Sequence, residues 1–230
     1  MRGRWRSPAG ALALAGILLG SGVLGFLVYR VAPQPKTVSK IVPPAPPVTD
    51  AAPPPASHPI PETLPDISLP DVNGEPHRLS DWAGSPLIVN FWATWCEPCR
   101  RELPLLEGLH RENPRTAFEI VGIAIDHLDS VVKYARQMKI GYPILVGEKG
   151  GLEAAAAFGM EPVLPFTVFT DAQGRIVTLK IGELHRDEAA FILARLADIG
   201  SGRLSLPAAR EQIDAAMRRL AVSRAAAGAE

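Results

Sequence analysis

The chain has 230 residues, with 24 basic and 24 acidic side chains and a formal charge of zero. That balance supplies neither the basic excess of a nucleic-acid binder nor an acidic tail, so no nucleic-acid partner is expected. An apolar content of 47% and a charged content of 21% fit one globular domain with extensions, and only two cysteines exclude a disulfide scaffold.

Arg2, Arg4 and Arg6 lead an uncharged apolar run from about Ala9 to Tyr29. At about 1.5 Å per residue such a helix is roughly 30 Å long, enough to cross a hydrocarbon core. A cleaved secretory core is shorter, about 7–15 residues, and ends in a small-x-small site, which Arg30 interrupts. The sequence predicts a cytoplasmic basic segment over 1–8 and one uncleaved transmembrane anchor over 9–30. A cleaved signal is the alternative. Arginines before the span put the rest of the chain outside the cytoplasm, on the periplasmic side of the inner membrane. Gly16 and Gly20, then Ser21 and Gly25, have the small-residue spacing by which two spans could pack as a homodimer, though glycine is common in membrane helices anyway.

Residues 31–63 are rich in Pro, Ala and Val. Proline fixes φ and lacks a donor, so this stretch reads as a semi-rigid spacer. At about 3.1 Å per residue it could reach on the order of 100 Å from a bilayer.

Residues 64–203 alternate strand and helix patterns. Ile67-Ser68-Leu69 and the segment from His77 to Leu79 flank Asn73-Gly74, a hairpin signal. Ser80 to Gly84 reads as a short helical turn capped by Ser80 and stopped by Gly84. Leu87 to Trp92 is a buried strand. The string Trp95-Cys96-Glu97-Pro98-Cys99 then opens a helix through Leu109. Phe118 to Ile125 is a second buried strand, Ser130 to Met138 a helix, Tyr142 to Val146 a short strand and Leu152 to Phe158 an alanine-rich helix. Phe166 to Thr170 and Arg175 to Ile181 are strands around the turn Asp171 to Gly174, and Asp187 to Ile199 is a closing helix. This order predicts an α/β fold, a mixed central sheet with helices on both faces. Residues 204–230 form a tail with a helix from Pro207 to about Arg224, its stripe Ile213, Met217 and Leu220.

Disulfide exchange needs an exposed thiolate and a second thiol close enough to resolve the mixed disulfide. Cys96 at a helix start gains from unpaired N–H groups and the positive end of the helix dipole. Cys99 lies one turn on, and Pro98 sits where its missing N–H costs nothing. A structural zinc site needs four ligands, whereas His58, His77, His110, His127 and His185 are scattered; no metal is expected. Cu(I) suits two thiolates, so a copper-binding or metallochaperone module is the alternative. Glu97 opposes thiolate formation, which favours the oxidised pair and makes the dithiol a reductant. Trp92 reads as packing, Trp95 as surface beside Cys96, and Asp126 and His127 as solvated turn residues.

The segment Val89-Asn90-Phe91-Trp92-Ala93-Thr94-Trp95-Cys96-Glu97-Pro98-Cys99-Arg100-Arg101-Glu102-Leu103-Pro104 closely resembles the active-site region of the TlpA/ResA-type thioredoxin-like family of membrane-tethered disulfide reductases. Leu64-Pro65-Asp66, the Asn73-Gly74 hairpin and Leu79 to Trp82 resemble that family's N-terminal addition. The resemblance implies a thioredoxin fold with an N-terminal β-hairpin and no cofactor beyond the redox-active Cys96–Cys99 disulfide. Its implied partners are disulfide-containing clients and a membrane thiol protein as electron donor. It also implies a cis proline opposite the cysteines. Pro165, which abuts a strand, fits better than Pro162, and Leu164 before it would pair with an extended client. Trp95, Glu97 and Pro98 complete the expected client contacts. In ResA-like proteins a glutamate at the position of Glu102 assists proton transfer, whereas ordinary thioredoxins use a strand Asp where this chain has Asn90. Cys96, Cys99, Glu102 and Pro165 are therefore the expected catalytic set. CcmG-type cytochrome c maturation proteins carry an acidic residue after the cis proline, where this chain has Phe166. That weakens a dedicated apocytochrome role and favours the wider group, whose proposed clients include copper-site assembly proteins of respiratory oxidase. The peroxiredoxin pattern wants Thr three residues before its cysteine; that place is Ala93.

Overall fold

The computed structural model describes residues 60–113, 117–161 and 163–227. The basic segment, the anchor expected over 9–30, nearly all of the spacer and Pro162 lie outside the described residues. Among the described residues no helix is long and apolar enough to cross a membrane.

Strands β1 (Ser68–Pro70) and β2 (Pro76–Arg78) pair antiparallel. Asp71 closes their turn by accepting from the backbone N–H of Asn73 and Glu75, and Gly74 takes φ 87° there, a conformation open to glycine. The following 3-10 turn runs from Leu79 to Trp82. Its cap is not Ser80. Arg78 occupies that position, and the Asp81 carboxylate accepts from the Arg78 N–H at 2.9 Å.

The central sheet has the order β5-β4-β3-β6-β7. Strands β3 (Leu87–Trp92), β4 (Glu119–Ala124) and β5 (Ile144–Val146) run parallel, while β6 (Phe166–Thr170) and β7 (Ile176–Ile181) continue antiparallel from β3. Every residue of β3 is buried, as expected of a central strand covered on both faces.

Side-chain alternation sorts the core into two layers. Ile88 and Trp92 face the layer that holds Cys99, Leu103 and Leu106 of α1 (Glu97–Glu112) and Val131 of α2 (Leu128–Met138). The same layer takes Ile192 and Leu196 of α4 (Arg186–Gly200) and Ile213 of α5 (Leu206–Ala227). The tail helix is thus docked through Ala209, Ile213 and Ala216. Leu87, Val89 and Phe91 face the opposite layer, with Ala154 and Ala155 of α3 (Glu148–Ala157), Phe158, and Ile67 and Leu69 at the hairpin. There Phe91 stacks on Phe166 with ring centroids 4.1 Å apart and meets Phe158 edge-on at 5.6 Å.

Two helices begin earlier than their apolar spacing indicates. Helix α2 starts at Leu128, and α3 at Glu148, passing through Gly150 and Gly151. Those glycines would ordinarily weaken a helix. Here a Cβ on Gly151 would lie 2.9 Å from Ile125 Cγ1, so a small residue permits the close approach to the end of β4.

Candidate active site

Parallel strands β3 and β4 deliver their C-terminal ends to one rim of the sheet, where sites form in α/β folds. The loop from Ala93 to Cys96 leaves β3 at that rim. Phe166, the first residue of β6, pairs with Phe91, so Pro165 enters the sheet at the same rim. The Leu164–Pro165 bond is cis. Pro165 is buried and Leu164 half-buried, and Leu164 packs against the layer that contains both cysteines.

Cys96 and Cys99 form a disulfide with Cα atoms 5.3 Å apart. Cys96 caps α1 in extended backbone geometry, and its Sγ accepts from the Cys99 N–H at 3.3 Å. The cap places the sulfur where the first N–H groups of the helix lack intrahelical partners, the position that favours a thiolate. Cys96 is 5% exposed and Cys99 fully buried. Trp95 stands 70% exposed beside them, and Pro98 is half-buried in the first turn of α1.

Glu97 does not act alone. Its exposed carboxylate pairs with Arg101 at 3.0 Å, and Arg101 also holds Glu183 at 2.7 Å, tying α1 to the loop after β7. The arginine offsets the charge that Glu97 presents to Cys96. Gly182 in that same loop donates to the Pro165 carbonyl at 2.8 Å.

Glu102 is only 1% exposed. Its Oε1 accepts from Asn90 Nδ2 and its Oε2 from the Leu184 N–H, both at 2.7 Å. Burial pushes its carboxyl up to about 7, against the two hydrogen bonds that favour the ionised form. Such a group exchanges protons near neutrality, as a general acid or base must.

Several participants escape local sequence reading. Asp126, expected to be solvated, is 6% exposed and accepts from both the N–H and the hydroxyl of Thr94, pinning the residue before Trp95. Its partner lies 32 residues away, and the position just beyond a buried strand is the one sequence signal that marks it. Thr167 on β6 accepts from Asn90 Nδ2 at 3.0 Å, across 77 residues. His127 is solvent-facing and pairs with Glu148 at 2.9 Å. Trp92 is fully buried, and Ala93 too. Among the described residues no cluster of three or more His, Cys, Asp or Glu side chains is arranged to hold a metal ion.

The AhpC/TSA family pattern matches residues 60–179. The thiol-disulfide oxidoreductase ResA of Geobacillus thermodenitrificans is 31% identical over 127 residues, 55% of this chain and 71% of that protein. The thioredoxin-like protein YneN of Bacillus subtilis is 32% identical over 133 residues, 55% of this chain and 74% of that one. A crystal structure of a secreted thiol-disulfide isomerase from Corynebacterium glutamicum superposes with a TM-score of 0.54 at 27% identity, covering 59% of this chain and 85% of that one.

Proposed function

Because the chain belongs to the AhpC/TSA family and is a thiol–disulfide oxidoreductase of the ResA type, we propose that it reduces disulfides in client proteins outside the cytoplasm. The observation that carries this reading is the arrangement of Cys96 at a helix cap, Cys99 buried behind it, and the buried acid Glu102 one turn further on.

In the reduced protein the Cys96 thiolate attacks one sulfur of a client disulfide. The client S–S bond breaks, its leaving sulfur takes up a proton, and a mixed disulfide with Cys96 forms. Cys99 passes its proton to Glu102 and attacks the Cys96 sulfur. The client departs with both sulfurs reduced, and the Cys96–Cys99 disulfide remains. Two electrons have moved from dithiol to client, and a membrane thiol protein returns them; the dithiol needs no other cofactor. The Leu164 backbone before Pro165 offers pairing to an extended client chain, with Trp95, Glu97 and Pro98 contacting it around the sulfurs.

Arg101 weakens the argument for reduction from Glu97 alone. The direction rests more on Cys99, whose thiolate would sit buried one turn before the acid Glu102 on the same helix. Both circumstances disfavour that thiolate and lower the potential of the pair. Phe166 is fully buried and stacked on Phe91. A packed aromatic at this position, in place of an acidic side chain, weighs against a dedicated apocytochrome c role. The arginine-led apolar run and proline-rich spacer support a single-pass inner-membrane anchor with a periplasmic catalytic domain, and the secreted Corynebacterium neighbour fits that location.

The test is trapping. A Cys99→Ala variant cannot resolve, so client proteins should accumulate as mixed disulfides on Cys96; recovering none under oxidising conditions overturns the reading. Tight stoichiometric binding of Cu(I) by reduced protein, lost in Cys96→Ser, would favour the copper-binding alternative.

A further inference from the structure

Asn90 sits in the middle of β3 with no solvent exposure. Both hydrogens of its Nδ2 are used, one on Glu102 Oε1 at 2.7 Å and one on Thr167 Oγ1 at 3.0 Å. Its Oδ1 is buried and accepts nothing. An orphaned acceptor in a fully buried amide beside a titrating acid is unusual, since most buried polar atoms are paired.

This orientation suits one protonation state of Glu102. An ionised carboxylate accepts only, so Nδ2 must face it. When Glu102 takes the proton that Cys99 gives up, the S–H bond breaks, its electron pair stays on sulfur, and an O–H bond forms on the carboxyl. The Leu184 N–H at Oε2 belongs to the backbone and cannot turn away. A proton on Oε1, on the lone pair that Asn90 now uses, would meet the Asn90 N–H head-on. Rotating the carboxamide by half a turn removes that conflict. Oδ1 then accepts from Glu102 and from the Thr167 hydroxyl, which is free to rotate from acceptor to donor. Before the turn the amide atom without a partner is Oδ1, and after it the atom without one is Nδ2 with its two N–H groups.

We propose that Asn90 is a positioning residue whose carboxamide turns over with each protonation of Glu102, hydrogen-bonding to both forms of the acid and carrying its state to Thr167. The proposal rests on Glu102 being the proton acceptor of the reductase reading. Thr167 lies two residues after Pro165, and Leu184 two residues after Gly182, which donates to the Pro165 carbonyl. The acid is thereby bonded directly to the segment after β7 and, through Asn90, to β6, the two segments that frame the client-facing rim. The other titratable groups acting on it are Lys180 of β7, itself 3.5 Å from Glu188, Glu183 in the next loop, held by Arg101, and the buried Tyr142 phenol ahead of β5.

The chain contains three asparagines, Asn73, Asn90 and Asn113, so asparagine labelled with nitrogen-15 in the full chain yields three side-chain amide pairs. In the oxidised protein, both Asn90 amide protons should shift together between pH 5 and pH 9. Their Overhauser contact with the Thr167 methyl should be present at high pH and lost at low pH. In Glu102→Gln the Asn90 pair should be independent of pH. An Asn90 pair that stays fixed, or that titrates equally in Glu102→Gln, overturns the turnover. A separate readout keeps the two readings apart, namely the pH profile of thiol alkylation in the reduced protein. If Glu102→Gln leaves that profile unchanged, the proton-acceptor role fails whatever Asn90 does. If the profile changes while Asn90 stays fixed, that role stands and only the turnover falls.

Discussion

Glu102 holds a charge that burial opposes, and the conflict has a sign. The carboxyl sits near 4.5 ordinarily and at about 7 in the fold, so the folded state binds its proton more tightly than the unfolded chain. Its favourable contribution is complete below about pH 4.5 and disappears as pH rises through about 7. At roughly 1.4 kcal/mol per pH unit, ionising this group costs the fold about 3 kcal/mol. Urea unfolding of the oxidised protein should show greater stability at pH 5 than at pH 8.5 from this group, and Glu102→Gln should flatten that difference. Asp126 contributes differently, as an acceptor for the turn before Trp95. Asp126→Ala leaves the Thr94 N–H and hydroxyl without it, at a cost of about 2 kcal/mol. The variant should also slow disulfide exchange at Cys96, because Thr94 precedes Trp95 in the turn that presents it. Thermal melts and exchange rates, with Asp126→Asn as a milder control, check both effects.

At the level of elements, regular runs were legible and their partners were not. The span Leu87–Trp92 reads as a buried strand from its own composition and is one. The helix after Trp95 follows from the spacing of Leu103, Leu106 and Leu109. Asp126 shows the limit, since an acid after a strand reads the same whether it faces water or Thr94. Asn90 and Thr167 likewise meet only when β3 and β6 pair. Glycines in helices mislead in a related way. Gly150 and Gly151 look like breakers, but tertiary contact with Leu69 and Ile125 explains them. Gly151→Ala should therefore destabilise by about 1–3 kcal/mol through overpacking. Gly108 in α1 has open space where a Cβ would stand, with nothing within 4 Å of it, so Gly108→Ala should stabilise by about 0.5–1 kcal/mol. Opposite shifts in denaturation midpoint would verify the contrast; shifts of the same sign would contradict it.

Across the whole molecule, the proposed location separates two questions, where the domain sits and what it does there. With an uncleaved span over 9–30, the full chain should stay with membranes through an alkaline carbonate wash, and a chain lacking residues 1–30 should be released. Release of the intact chain would instead indicate a cleaved signal. The additions around the sheet bear on a different matter. Asp71 of the hairpin turn bridges to Leu145 on the outer strand β5. On the other margin, Ile176 of β7 donates to Glu62 and its carbonyl accepts from the Arg210 guanidinium of α5. An outer strand with bare amide groups is a template on which a second chain can grow. With both margins of the sheet occupied at these points, a second chain finds fewer free amide groups there on which to pair.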